Sequence, residues 1–243
     1  MSLILGGDVG GTKAYLGLFR VDGDAFETVV VERYTSTDFA GVPELLSGFI
    51  VHCGQHPDRV VLGVPGPVKH TPVKAVNLPW TIDPGQIAGV LGVADVFLLN
   101  DLEATAYGTL ALTDDDIVEI NPGEPESQGA MAIIAAGTGL GEAGLAWVDG
   151  RYVALASEGG HASFAPGNDE EVRLWHWLFA RHGHVSWERV VSGMGLVNVY
   201  EFLRDSSPDG EPDWLREQLA AEGPRARIIS SAARQEGVSL AVE

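Results

Sequence analysis

The sequence predicts an α/β protein built as two lobes, and three observations support this prediction. Apolar runs of strand length alternate with amphipathic stretches of helical length along the chain. A strand, a glycine turn and a second strand follow one another near the start of the chain and again after residue 130. The 243 residues also exceed the usual size of one domain. We expect a first lobe over residues 1–111 and a second over residues 112–243.

The first lobe is expected to open with a β-hairpin, in which strands at 3–7 and 14–20 flank the turn 8–13. Pro43 suits the first turn of a helix. Pro and Gly at 65–67 mark the end of a buried strand. The further predicted elements are a strand at 27–34, a helix at 42–53, a strand at 60–64, a helix at 84–91, a strand at 95–99 and a helix at 102–112.

The second lobe is expected to follow a polar connection at 113–128, which is rich in Asp, Glu, Pro and Gly. Its predicted elements are strands at 130–136 and 142–148, a helix at 170–182, a helix that starts near 187, a tight turn at 192–195, a helix at 196–203, a short helix that ends near 222 and a helix from 224. In the helix at 170–182, four side chains have the spacing of a packed face. They are Val172, Trp175, Leu178 and Phe179.

Composition excludes several classes of partner. The formal net charge of −19 argues against nucleic acid and against an anionic membrane surface, because both favour basic patches. No stretch of 18 apolar residues and no signal peptide is visible, so we expect a cytoplasmic protein. The single cysteine, Cys53, excludes an internal disulfide and a multi-cysteine zinc site.

Asn100 and Asp101 follow the apolar run 95–99, which we interpret as the central strand of the first lobe. Open α/β sheets bind ligands at the carboxyl ends of their strands, where an aspartate is well placed to act as a base. Asn and Asp are also common caps at the start of a helix. Taken alone, the two residues fit both interpretations.

Two glycine turns are candidates for phosphate binding. Gly10 and Gly11 in the first, and Gly137 and Gly139 in the second, let the backbone bring N–H groups close to an anion. The first turn is not a Walker A loop, since Thr12-Lys13 reverses the required order. The second is followed by a strand rather than the helix of a dinucleotide fingerprint. Either could also be an ordinary hairpin turn.

A second group of polar residues suits a ligand rich in hydroxyls. Glu158 and His161 flank two glycines that permit close approach of a ligand, and Glu188 follows after a helix. Asn77 could bind a hydroxyl through its amide or simply form a turn. Glu188 could instead stabilise a helix N-terminus.

Five motifs in order carry a resemblance to a known family. They are Gly7-Asp-Val-Gly-Gly-Thr12, Leu99-Asn-Asp101, Gly137-Thr-Gly-Leu-Gly141, Glu158-Gly-Gly-His161-Ala-Ser-Phe-Ala-Pro166 and His184-Val-Ser-Trp-Glu-Arg-Val-Val-Ser-Gly193. This set resembles the bacterial ATP-dependent glucokinases of the actin-like sugar kinase superfamily. The resemblance covers nearly the whole chain, and its last two motifs are specific.

The resemblance implies a two-lobed actin-like ATPase (ribonuclease H-like) fold with mixed sheets, and a kinase that transfers phosphate from ATP to the 6-hydroxyl of glucose. It makes Asp101 the general base. It assigns the other hydroxyls of the hexose to Asn77, Asn100, Glu158, His161 and Glu188. It places the phosphates of ATP against Gly10, Gly11, Thr12, Gly137, Thr138 and Gly139. It also implies Mg²⁺ near Asp8 and Asp101, held through water, and a homodimer.

Three departures from the family pattern bear on these expectations. Lys13 replaces the usual asparagine and is more typical of related sugar kinases that hold a structural zinc, but no cysteine follows Cys53, so we expect no zinc. Met194 replaces a common proline. Family members continue past the end of this sequence, so we expect the second lobe to be incomplete at its C-terminal end. A kinase for another hexose and a non-catalytic sugar-binding protein stay as alternatives.

Overall fold

A computed structural model describes residues 1–23, 25–75, 79–124, 126–206, 211–221 and 223–234. Over these residues the chain is an α/β protein. The strands are β1 (Ser2–Val9), β2 (Lys13–Asp22), β3 (Ala25–Thr35), β4 (Arg59–Val64), β5 (Val73–Lys74), β6 (Thr81–Ile82), β7 (Asp95–Asn100), β8 (Met131–Ala136), β9 (Leu140–Val148) and β10 (Arg151–Ser157). The helices are α1 (Val42–Cys53), α2 (Pro84–Leu91), α3 (Asp101–Thr109), α4 (Asp169–His182), α5 (Gly193–Ser206), α6 (Asp213–Ala220) and α7 (Arg225–Ala232).

The chain divides into two compact units. Unit 1 comprises Met1–Met131 with Gly144–Ala156, and unit 2 comprises Ala132–Ala143 with Ser157–Glu243. Each unit is thus formed by two separate stretches of the chain, which a linear reading of the sequence does not anticipate. The lobe boundary between residues 111 and 112 stays a prediction.

A mixed five-stranded sheet organises unit 1, in the order β3-β2-β1-β4-β7. The interpretation of 95–99 as the central strand is wrong, because β7 lies at the edge of this sheet and β1 at its centre. β1 pairs antiparallel with β2 and parallel with β4, and β4 pairs parallel with β7. Because β1, β4 and β7 run in the same direction, their carboxyl ends meet at one edge of the sheet. Asp8 lies near the end of β1, and Asn100 closes β7.

The core of unit 1 is formed by apolar side chains of the sheet and of α1 and α2. The fully buried members include Leu5, Leu16 and Leu62 on strands and Phe49 on α1. Each such side chain stabilises the fold by about 1.5–3 kcal/mol. Trp80 is also buried in this core.

The predicted packed face of α4 is wrong in part. Leu174 and Leu178, one turn apart, are buried against the cluster that contains Phe202, whereas Val172 and Phe179 are exposed. An apolar residue can occupy either side of an amphipathic helix, so spacing alone could not decide between the two faces.

Three further elements differ from the prediction. The helix expected to start near 187 is a single 3₁₀ turn, Trp187–Arg189. α3 ends at Thr109 rather than at Leu112. The tight turn expected at 192–195 is the start of α5, since the hydroxyl of Ser192 accepts a hydrogen bond from the Gly195 N–H at 2.9 Å. That hydroxyl satisfies a backbone donor that the helix itself leaves unpaired.

A second sheet has three strands in the order β10-β9-β8. The glycines at 137 and 139 lie between β8 and β9, so the predicted strand, turn and strand are confirmed. None of the helices in the described ranges has the length and apolar character needed to cross a membrane.

Candidate functional site

The side chain of Asn100 caps α3. Its Oδ1 accepts a hydrogen bond from the Leu102 N–H at 3.0 Å, and the Glu103 carboxylate accepts one from the Asn100 N–H at 3.1 Å. The Asn100 amide also donates to the carbonyl of Gly66 at 3.3 Å. The capping interpretation is therefore confirmed, and a role of Asn100 in sugar binding stays a prediction.

Asp101 is the first residue of α3 and is partly buried. One of its carboxylate oxygens accepts a hydrogen bond from the Leu102 N–H at 3.0 Å. This bond orients the carboxylate and uses a single oxygen. α3 can approach the sheet here because Gly63 on β4 has no side chain, and a Cβ at that position would lie 3.0 Å from the Cβ of Ala104.

Asp8 and Asp101 form a carboxylate pair in unit 1. The pKa of Asp8 is raised above its usual value, mainly because the surrounding cleft limits hydration of its carboxyl, and also because the negative charge of Asp101 is close. Although the side chain of Asp8 reaches solvent, both causes disfavour its charged form. Two neighbouring carboxylates of this kind favour a bound cation.

A cleft of about 480 Å³ opens beside this pair. Asp8, Asp101 and Thr105 are among its polar lining groups, and Phe19 and Val31 are among the apolar ones. Its volume lies within the range of about 300–1,000 Å³ that is usual for small-molecule sites.

The first glycine turn, between β1 and β2, is fastened by Ser36. The Ser36 hydroxyl donates to the carbonyl of Gly10 at 2.8 Å, and its backbone N–H donates to the carbonyl of Thr12 at 3.0 Å. Ser36 is fully buried. It lies 26 residues from Gly10, and no pattern in the sequence marked it as part of the site.

In unit 2, the structure brings Glu158, His161 and Glu188 together. The imidazole of His161 has Nε2 at 3.8 Å from Glu158 Oε2 and Nδ1 at 3.9 Å from Glu188 Oε1. These separations exceed a hydrogen bond, so the three side chains do not satisfy one another's polar atoms. Such a cluster can both donate to and accept from the hydroxyls of a sugar.

The second glycine turn lies against this cluster. The Leu140 N–H donates to Glu188 Oε2 at 3.0 Å, and the Gly193 N–H donates to the carbonyl of Gly137 at 2.8 Å. A side chain at Gly139 would collide with the Glu188 carboxylate. The contacts of Leu140 and Gly193 were not predicted, because they join residues far apart in the sequence.

The predicted site residues thus fall into two sets. Asp8, Asn100 and Asp101 lie in unit 1 with the turn that contains Gly10, Gly11 and Thr12, and Glu158, His161 and Glu188 lie in unit 2 with the turn that contains Gly137, Thr138 and Gly139. Asn77 lies outside the described residues. Within the part of the chain that is described, no three His, Cys, Asp or Glu side chains are grouped to hold a metal ion.

Comparisons with known proteins identify the family. The sequence profile of the glucokinase family matches residues 5–243. A glucokinase of Nostoc sp. is 35% identical over 243 residues, an alignment that covers 98% of this chain and 68% of that protein. A glucokinase of Sinorhizobium medicae is 32% identical over 239 residues, with 98% of this chain and 69% of that protein covered.

Solved structures agree with this result. The crystal structure of a glucokinase from an Antarctic psychrotroph matches 100% of this chain and 73% of its own, with a TM-score of 0.83 and 27% identity. The structure of Balamuthia mandrillaris glucokinase in complex with glucose shares the fold, with a TM-score of 0.68 and 22% identity over 99% of this chain and 71% of its own. The predicted α/β fold of the actin-like ATPase class is therefore confirmed, and the chain belongs to the glucokinase family of sugar kinases.

Proposed function

We propose that this chain transfers the γ-phosphate of ATP to the 6-hydroxyl of glucose, giving glucose 6-phosphate and ADP, with Asp101 as the general base. The observation that carries the proposal is the position of Asp101 at the carboxyl end of β7, in a chain that belongs to the glucokinase family. A carboxylate base that accepts the hydroxyl proton contributes about 10²- to 10⁴-fold to the rate.

The remaining hydroxyls of glucose are assigned to Glu158, His161 and Glu188, with Asn77 and Asn100 as further candidates. Two carboxylates and an imidazole supply both acceptors and donors, which suits a ligand whose hydroxyls do both. The mutual distances of 3.8 and 3.9 Å around His161 support this assignment, because the three groups lie close enough to bind neighbouring hydroxyls.

The two glycine turns are assigned to the phosphates of ATP, with Thr12 and Thr138 as hydroxyl donors. Phosphoryl transfer depends mainly on alignment and on neutralising charge. In a chain with a net charge of −19, backbone N–H groups and a cation must supply most of that neutralisation.

Mg²⁺ is assigned to Asp8 and Asp101. The pair fits this ion, since Mg²⁺ usually keeps several waters and binds through one or two carboxylates. Limited hydration, and then the charge of Asp101, raise the pKa of Asp8, and a cation beside the pair would offset both effects. When bound, the ion would neutralise charge on the phosphates. Zinc is not part of the proposal, because no cysteine follows Cys53 in this sequence.

The proposal also includes a homodimer in the cytoplasm. The cytoplasmic location is the expectation drawn from the sequence, and the homodimer rests on the resemblance to the family. Light scattering of the purified chain measures the oligomeric state, and a monomer at working concentration would contradict that part of the proposal.

An ADP-release assay with glucose tests the central assignment. We expect Asp101→Asn to lower kcat by about 10²- to 10⁴-fold, because the amide keeps the hydrogen bond to the Leu102 N–H but accepts a proton poorly. The matched control is Asp95→Asn at the other end of β7, where the carboxylate pairs with Arg59 at 3.2 Å. We expect this control to keep its kcat.

Retention of most activity by Asp101→Asn would remove Asp101 from the role of base. The same assay with mannose and N-acetylglucosamine tests the preferred sugar, and faster turnover of either sugar than of glucose would favour a kinase for another hexose. Stabilisation by glucose without any turnover would favour a sugar-binding protein.

A further inference from the structure

Glu188 contacts two parts of the candidate site at once. Its Oε2 accepts a hydrogen bond from the Leu140 N–H at 3.0 Å, while its Oε1 lies 3.9 Å from Nδ1 of His161. The side chain is 19% exposed, so its carboxylate has little competition from water. The Glu188 carboxylate therefore lies between the cluster assigned to the sugar and the turn assigned to the nucleotide, and it is close to both.

The contact with the glycine turn is close and is fixed from both sides. A Cβ on Gly139 would collide with the Glu188 carboxylate, so the turn packs directly on this side chain. The backbone of Glu188 is itself held, because the Ser192 hydroxyl donates to its carbonyl at 2.7 Å. The Gly193 N–H holds the other end of the turn through the carbonyl of Gly137 at 2.8 Å.

We propose that Glu188 is a positioning residue for the nucleotide turn at 137–141, in addition to any contact it makes with the sugar. A turn that is already held in one conformation loses less conformational entropy when it binds a ligand. The hydrogen bond to the Leu140 N–H therefore favours ATP binding even when no sugar is present. This inference rests on the proposed function, since it takes the turn as part of the nucleotide site.

Glu158 provides a matched control. Its carboxylate lies 3.8 Å from the same imidazole, on the side of Nε2, but its side chain is 90% exposed. Across the described residues, the turn makes no hydrogen bond to Glu158. Removing either carboxylate should weaken glucose binding, and only the removal of Glu188 should also weaken ATP binding.

The experiment measures ATP affinity by isothermal titration calorimetry on the full chain, with Mg²⁺ and without sugar. We expect Glu188→Ala to raise the Kd for ATP about tenfold, equivalent to about 1.4 kcal/mol. Glu188→Gln keeps an acceptor for the Leu140 N–H, and we expect its Kd to stay close to that of the parent. We expect Glu158→Ala to bind ATP like the parent. Thermal unfolding of all four proteins identifies any variant that fails to fold.

Three results would overturn the inference. They are unchanged ATP affinity in a folded Glu188→Ala, an equal loss in Glu158→Ala, and a Glu188→Gln variant as weak as Glu188→Ala. If Glu188→Ala does not fold, Glu188→Met replaces it, since methionine fills a similar space without an acceptor for the Leu140 N–H. A tenfold loss of ATP affinity in folded Glu188→Met would support the inference, and an unchanged affinity would overturn it. If the parent turns over glucose and Glu188→Ala binds ATP as tightly as the parent, the inference alone is contradicted. If the parent binds no ATP, the proposed function is contradicted as well.

Discussion

Ser36 shows how much a single buried hydroxyl can contribute to this site. Its side chain and its backbone N–H donate to the carbonyls of Gly10 and Thr12, so one residue closes both ends of the first glycine turn. A carbonyl that loses its donor in a buried position costs about 1–3 kcal/mol. The turn should therefore depend on Ser36 for its stability and its shape.

We expect Ser36→Ala to lower the free energy of unfolding by about 1–3 kcal/mol and to weaken ATP binding, because the carbonyl of Gly10 loses its donor. Chemical denaturation and calorimetry measure the two effects. The control is Ser47→Ala, which removes a similar hydrogen bond to the carbonyl of Pro43 inside α1. Equal loss of ATP affinity in both variants would contradict a specific role of Ser36.

Asp8 provides a prediction on pH. Its raised pKa means that folding disfavours the charged carboxyl, so Asp8 reduces stability at pH 7 and ceases to do so once it is protonated. We expect Asp8→Asn to have a higher Tm than the parent at pH 7. The difference should shrink as the pH falls through the pKa of Asp8 in the folded chain, and it should vanish below about pH 4, the ordinary value for an aspartate.

Thermal unfolding across this pH range, without nucleotide, measures the difference between Asp8→Asn and the parent. A variant that is less stable than the parent at pH 7 would show that the charged form of Asp8 is favoured in the fold. Mg²⁺ with ATP should stabilise the parent but not Asp8→Asn. This result would separate the role of Asp8 in Mg²⁺ binding from its destabilising effect on the fold.

At the scale of elements, the contact between β4 and α3 determines where Asp101 lies. Gly63 allows the helix to lie directly on the strand, and a Cβ there would meet the Cβ of Ala104 at 3.0 Å. Neither atom can rotate away, because a Cβ is fixed by the backbone. A side chain at Gly63 therefore requires the backbone of β4 or of α3 to shift by a few tenths of an ångström.

We expect Gly63→Ala to lower the free energy of unfolding by about 1–3 kcal/mol, as overpacking does, and to lower kcat through displacement of Asp101. The control is Gly89→Ala in α2, where an added Cβ meets no atom within 4 Å. That change should be neutral or stabilising, by up to about 1 kcal/mol. Denaturation and the ADP-release assay measure both variants. A Gly63→Ala protein with the kcat of the parent would show that α3 does not need this contact to place its base.

For the molecule as a whole, the excess of acidic residues has a physical cost. The chain has 34 Asp and Glu residues against 15 Lys and Arg, a formal net charge of −19. Repulsion among these charges destabilises the compact state. Salt weakens this repulsion, and at 0.1 M it largely removes the repulsion between exposed charges that lie more than about 10 Å apart.

We therefore expect the Tm at pH 7 to rise when KCl is increased from about 0.01 to about 0.3 M, where the screening length becomes much shorter. Differential scanning calorimetry measures the shift, and choline chloride at the same ionic strength distinguishes screening from a specific effect of K⁺. A Tm that falls with salt would show that favourable ion pairs, such as Arg225 with Glu201 at 2.7 Å, outweigh the repulsion.

The sequence by itself determined the kind and order of most of the elements, although it did not reveal β5, β6 or β10. The predicted bounds of α1 and α2 agree with the structure because each helix has an apolar stripe, a proline at its start and a glycine just beyond its end. The motifs that contain Asp101 and His161 could also be recognised in the sequence, since each is a continuous stretch of residues. These signals are local, so they can be read without knowing what the chain packs against.

Only the tertiary structure decided which of these residues touch. The bond between Glu188 and the Leu140 N–H joins residues 48 apart, and the bond between Ser36 and Gly10 joins residues 26 apart. The structure likewise shows that α4 buries Leu174 and Leu178, whereas Val172 and Phe179 are exposed. Periodicity and motifs describe what a segment can present, whereas a contact depends on how distant segments pack, and no property of either segment alone records that.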